Sequence, residues 1–222
     1  MIISAKTKQA LLREVSLDVD WLTARNGLWK KYSKQLKSKA IKLDSILGWS
    51  KYTTPSGNIA HLCSIKNAHN GIPSIEHAYL FEYREGYLEP VFDYGRVKGC
   101  VFYTKHCIQR IEERSGMSFI QAFEVSTKTD IGYADYSQYG YNGTECLRYF
   151  CNGFLICNYD ENMGICCAIT YVSSEQAYSN QTMSMLTSKK VSDTIFEEHQ
   201  TRTENEYKKL PRSIRRQITR SI

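Results

Sequence analysis

Over the first 48 residues, apolar positions return at helical spacing: Leu11, Leu12, Val15, Val19 and Leu22, then Leu28, Trp29, Tyr32 and Leu36. No proline interrupts them, so residues 5–48 read as helical, with Asn26-Gly27 separating two helices. Residues 53–58 form a turn, and beyond it the pattern changes to β-branched and aromatic runs. Residues 59–65, 78–83 and 88–92 read as strands, with turns at Asn70-Gly71 and Glu85-Gly86. Pro90 cannot donate to a ladder, which points to an edge position for its strand. Val101, Phe102 and Tyr103 lead into a helix over 104–115, with Thr104 as N-cap and Gly116 as stop. Ser118 and Gln121 then open a second helix over 119–126. Strands at 146–151, 154–159 and 165–172 follow, joined by a tight turn at Asn152-Gly153 and a looser one over 160–164. The last of these is apolar on both faces, which places it in the middle of its sheet. A polar stretch then leads to a helix around 191–210 that Pro211 ends.

Together these elements predict an α+β architecture: N-terminal helices, an antiparallel sheet with a packed helix pair, and a helical basic C-terminal tail. The expected division is a helical region over 1–50, an α+β core over 51–172, and a polar linker with the basic tail over 173–222. With 42% hydrophobic and 23% charged residues among 222, a mostly disordered chain, a collagen-like fibre and a coiled coil are excluded. No apolar run reaches the roughly 18 residues a membrane-spanning helix needs, and the first residues develop no apolar signal region. A cytoplasmic location without membrane partners is therefore expected. The eight cysteines fit that setting, because five of them sit in strongly apolar runs and none forms a C-x2-C pair. They read as reduced, buried thiols rather than disulfides or zinc ligands. His61, His69 and His77 make no recognisable metal set, so no metal site and no cofactor is expected. Phosphate-loop, dinucleotide, serine-hydrolase and zinc-protease motifs are all missing.

Charge divides the chain unevenly. Residues 1–50 hold 10 Lys/Arg against 4 Asp/Glu, residues 51–187 hold 10 against 14, and residues 188–222 hold 9 against 5. Both ends are basic around a mildly acidic middle, and basic ends suit a polyanion such as nucleic acid. Lys30, Lys31, Lys34, Lys37, Lys39 and Lys42 are equally readable as the wet face of a helix. In the tail, Lys208, Lys209, Arg212, Arg215, Arg216 and Arg220 fall together with no acid among them, as a phosphate-binding or partner-docking segment.

The helix over 104–115 carries the one motif with chemical content. At about 100° per residue, Cys107, Ile108 and Ile111 share an inward face, and His106, Arg110 and Arg114 form one row along its flank. An imidazole moves a proton near neutral pH, and guanidiniums hold a phosphate and the charge that builds in a transition state. The same side chains serve equally to pair with Glu113, Glu124 or nearby carbonyls and so brace the fold.

Lys105-His106-x-x-x-Arg110-x-x-x-Arg114, followed by a short helix and hairpin-rich strands, resembles a group of small domains of unknown function found in phages, plasmids and toxin–antitoxin loci. These are thought to be akin to RelE- and barnase-type ribonucleases. The resemblance covers residues 102–172 and implies helices packed on an antiparallel sheet. It also implies a site at His106, Arg110 and Arg114, RNA as substrate, and an antitoxin or host protein as partner. The expected activity is metal-independent endoribonucleolytic cleavage. Tyr133, Tyr136, Tyr139 and Tyr141 offer stacking surfaces for unpaired bases, a protein contact, or a plain strand edge. The alternative function is a non-enzymatic interaction protein of a mobile element. It would grip a host protein or nucleic acid through that tyrosine-rich segment and the basic tail.

Overall fold

Thr7 caps the first helix, α1 (Lys8–Thr23), by accepting a hydrogen bond from the Ala10 amide. Its Leu11, Val15, Val19 and Leu22 are buried, so the helical spacing seen in the sequence marks a real inward face. A computed structural model describes residues 7–176 except 25–26, 39, 44, 70–71, 94, 130–136, 139–144, 161 and 174. The helix α2 (Gly27–Lys37) follows, with Tyr32 and Leu36 turned inward. Next comes a meander of β1 (Ile46–Thr53), β2 (Ile59–His69), β3 (Ile72–Tyr83), β4 (Gly86–Asp93) and β5 (Arg96–Tyr103). The helix pair α3 (Lys105–Ser115) and α4 (Phe119–Thr129) is followed by β6 (Ser137–Gln138), β7 (Glu145–Phe150), β8 (Gly153–Asp160) and β9 (Ile165–Ser173). The fold is α+β.

All the strands join one sheet in the order β1-β2-β3-β4-β5-β9-β8-β7-β6. Every pairing is antiparallel except β5 with β9, where Tyr103 lies opposite Ala168 in a parallel ladder. Side chains alternate between two covered faces. One face buries Leu62, Tyr79, Phe81, Leu88 and Cys100 against α1 and α2. The other buries Val101, Tyr103, Phe150, Leu155 and Cys166 against Cys107, Ile111, Phe119 and Phe123 of α3 and α4. The apolar strand over 165–172 is interior, as its two-sided pattern predicts. Its neighbour β5 is parallel to it because the helix pair provides the crossover that such a pairing requires.

Several local expectations are revised. Residues 46–50 belong to a strand, not to the helical region expected over 1–50. The apolar positions Ile46, Leu47 and Trp49 are too few to separate the two periods, and pairing with β2 decides between them. Pro90 lies in an interior strand, yet the reason for its edge assignment holds locally. The β3–β4 ladder covers only Phe81–Tyr83 against Gly86–Leu88, so the missing donor of Pro90 falls beyond it. The two tight turns are Arg84-Glu85 and Cys151-Asn152, each one residue before the expected position. Arg84 and Cys151 take positive φ there, 52° and 48°. The glycines that marked these turns serve close approach instead. A Cβ on Gly86 would stand 2.0 Å from the Tyr103 carbonyl oxygen, and one on Gly153 would stand 2.4 Å from that of Val172. The helix expected over 191–210, and with it Lys208, Lys209, Arg212, Arg215 and Arg216, lies outside the described residues.

A buried polar knot ties α1 to the β1–β2 turn. Asp18, 1% exposed, accepts from the Thr54 hydroxyl and from Asn58 Nδ2, each at 2.8 Å. Asn58 Nδ2 also donates to Glu14 Oε1, and the Asn58 amide donates to Thr54 Oγ1. Asp18→Ala takes the acceptor from the buried Thr54 hydroxyl and one of two carboxylate partners from Asn58 Nδ2, so we expect a loss of about 2 kcal/mol in urea unfolding. A loss below about 0.5 kcal/mol would show that the knot does not hold α1 in place.

Candidate functional site

The polypeptide leaves β5 at Tyr103 and turns directly into α3. Thr104 makes the junction rigid: its Oγ1 donates to the Ala168 carbonyl at 3.0 Å and accepts from the Cys107 amide at 3.1 Å. At the other end Gly116, with φ 68°, closes the helix, and its amide donates to the Glu112 carbonyl at 3.1 Å. The Glu112 side chain caps α4 by accepting from the Phe119 amide at 3.0 Å, while Ser118 and Gln121 form the expected capping box. Cys107 and Ile111 are fully buried against the sheet. The flank of α3 that carries the His/Arg row therefore has a fixed orientation.

The three members of that row have three different surroundings. His106 is exposed, and its imidazole makes no hydrogen bond or ion pair among the described residues. Arg110, one turn further on, pairs with Glu113 on the helix surface, Nη1 to Oε2 at 2.7 Å, with its side chain 40% exposed. Arg114 turns inward and donates from Nη1 to the Tyr171 carbonyl of β9. It also borders a cavity of about 140 Å³ together with Met117, Cys151, Asn152 and Ser173. Thus the row is real, but its two arginines are already engaged, one by a surface carboxylate and one by the backbone. Beside His106, Lys105 approaches Glu85 of the β3–β4 turn at 3.5 Å. Tyr133, Tyr136, Tyr139 and Tyr141 lie outside the described residues, so the structure places neither them nor the basic tail relative to α3.

Two charged constellations went unread in the sequence. On the α3/α4 face, Arg148 of β7 grips Glu89 of β4 with both arms, Nη1 to Oε2 at 2.6 Å and Nη2 to Oε1 at 3.0 Å. The Tyr103 hydroxyl donates to the same carboxylate at 2.5 Å. Further along that face, Glu82 accepts from Lys51 and pairs with His61 Nε2, both at 2.9 Å. Burial opposes ionisation of Glu82, but hydrogen bonds and charge from Lys51 and His61 outweigh it and hold the carboxyl below its usual range. The available signal was a charge at an inward-facing strand position, as with Glu89 between Leu88 and Pro90. Its partner comes from a distant strand, which no local pattern reveals.

Burial suppresses the thiols. Cys100 and Cys107 are each pushed up to about 12, and Cys151 and Cys167 are raised as well. The seven described cysteines form no disulfide with one another and, apart from half-buried Cys167, are inaccessible. They pack as small hydrophobes, and the raised thiols of Cys100, Cys107, Cys151 and Cys167 stay protonated near neutral pH. Among the described residues no three His, Cys, Asp or Glu side chains gather as metal ligands, and no helix is long and apolar enough to cross a membrane. No family model, curated protein or solved structure matches this chain.

Proposed function

We propose that this chain is a metal-independent endoribonuclease of toxin type, working in the cytoplasm from the exposed flank of α3. One observation carries the reading: His106 is an exposed imidazole with no partner among the described residues, one helical turn from half-exposed Arg110. In this scheme His106 takes the proton from a ribose 2′-hydroxyl or returns one to the leaving 5′-oxygen. Attack of the 2′-oxygen on phosphorus breaks the bond to the 5′-oxygen and leaves a 2′,3′-cyclic phosphate, so no metal is required. Arg110 exchanges Glu113 for the scissile phosphate, an exchange favoured by the low cost of releasing an exposed pair. Arg114 is a positioning residue that holds α3 on β9 through Tyr171. The basic tail at Lys208, Lys209, Arg212, Arg215 and Arg216 is a further RNA contact in this reading.

Purified protein and its His106→Ala variant, incubated with several RNAs in EDTA, test the proposal. Wild type should release cyclic-phosphate ends, and the variant should be slower by roughly 10²–10⁴-fold with an unchanged melting temperature. Equal cleavage by both would remove His106 from the mechanism. No cleavage by either would leave the non-enzymatic interaction protein as the better description.

A further inference from the structure

The helix α2 carries a cationic stripe for which the described residues provide no counter-charge. Between Asp20 and Asp44 the sequence has no acid, yet it places Lys30, Lys31, Lys34 and Lys37 on this one short helix. All four are exposed, while Tyr32 and Leu36 on the opposite side are 3% and 2% exposed. At 100° and about 1.5 Å per residue, Lys30, Lys34 and Lys37 line up within about 60° of one another, rising about 6 Å and then about 4.5 Å. Lys31 is occupied, donating to Ser50 Oγ at 3.0 Å with its ammonium 4.9 Å from the Tyr32 ring centroid. The ammonium groups of the other three have no ion pair or hydrogen bond among the described residues. Like charges at i and i+4 oppose helix formation, and interleaved glutamates would supply solubility without that cost. The stripe therefore fits an external partner.

We infer that the Lys30–Lys34–Lys37 stripe binds the phosphate backbone of single-stranded RNA without reading its sequence. The identity of the polyanion rests on the ribonuclease reading above. Lysines are flexible point charges that suit successive phosphates. The buried Tyr32 and Leu36 are spent on the protein's own core and leave no apolar face at those positions for a membrane. The stripe also answers a charge mismatch. Residues 51–187, which contain α3, hold more acids than bases, so the cation that draws RNA to the protein must come from elsewhere. Helices α2 and α3 cover opposite faces of the sheet. A bound strand would pass over the edge formed by β1, whose exposed Lys51 lies on the α3/α4 side.

The test is the salt dependence of binding by the full chain to a fluorescent 2′-O-methyl oligoribonucleotide, which lacks the nucleophile and cannot be cleaved. The triple variant Lys30→Gln/Lys34→Gln/Lys37→Gln should bind at least about tenfold more weakly at low salt, and its slope of log K against log[salt] should be shallower by about 2. Neutralising Arg96 and Lys98 in the β4–β5 hairpin should leave the slope unchanged, and thermal melts should show every variant folded. An unaltered slope in the triple variant, or wild type that ignores the oligonucleotide, overturns the inference. Wild type that binds phosphatidylserine vesicles in place of the oligonucleotide overturns it too and reassigns the stripe to a membrane surface. His106→Ala separates the two proposals, because it should keep the full binding slope while losing cleavage. Binding that depends on the stripe without any cleavage sinks only the ribonuclease reading. Cleavage with an unaltered slope sinks only the stripe.

Discussion

Arg148→Ala should lower the unfolding free energy by about 3 kcal/mol in urea titrations, the largest loss expected from a single side chain here. Strands β4 and β7 stand four places apart in the sheet, which in a flat sheet would separate them by about 19 Å. Their side chains nevertheless meet, with a forked pair between Arg148 and Glu89 whose side chains are 12% and 16% exposed. The sheet must therefore curl around α4, and this pair joins the two sides of the curl. Phe119 and Phe123 of α4 fill the space beneath, against Phe150 of β7, Tyr103 of β5 and, through Phe123, Trp49 of β1. Truncating Arg148 leaves the Glu89 carboxylate poorly hydrated, with the Tyr103 hydroxyl as its one remaining neutral donor among those described above. Replacing both partners, as in Glu89→Met/Arg148→Met, removes the stranded charge and should recover most of the loss. A single-variant cost under about 1 kcal/mol would mean that the aromatic packing closes the sheet unaided.

Acid should weaken the fold well before the carboxylates titrate. His77 on β3 is largely buried between Ser64 and Tyr79, and desolvation lowers its pKa to about 4, against a weaker opposing hydrogen bond with the Cys63 backbone. The unfolded chain takes up this proton near pH 6.5, the folded chain only near pH 4. The contribution is therefore complete above about pH 6.5 and is lost as pH falls towards 4. Allowing for partial solvent screening, about 2–3 kcal/mol disappears across that window. Denaturant midpoints for His77→Gln should be nearly flat from pH 6.5 to 4.5. Below that range both proteins should still weaken, because the depressed Glu82 carboxyl must then be protonated. An equal slope in wild type and variant between pH 6.5 and 4.5 would remove His77 as the cause.

Much of the local structure was legible. The caps at Thr104, Gly116 and Ser118 appear where side-chain chemistry demands them, because capping involves partners only a few residues away. The helical face of α1 and the two-sided apolar strand β9 were legible for a similar reason: burial repeats with the period of the backbone. The row of His106, Arg110 and Arg114 also follows from helix geometry alone. What each member touches does not, since the partner of Arg114 is a carbonyl 57 residues away. Gly86 and Gly153 show how a correct signal can carry the wrong reason. Each glycine lies beside a turn, yet the neighbouring strand's approach is what excludes a side chain there.

By itself, the sequence determined the helix pair, the hairpins, the inward faces and the segregation of basic ends from an acidic middle, because each depends on residues near in the chain. Tertiary structure decided that residues 46–53 are a strand, that β5 lies parallel to β9, that the sheet curls until Glu89 meets Arg148, and that Arg114 faces the backbone. These are matters of long-range pairing. Their energies come from contacts between segments that share no local pattern, so only the folded chain could select among them.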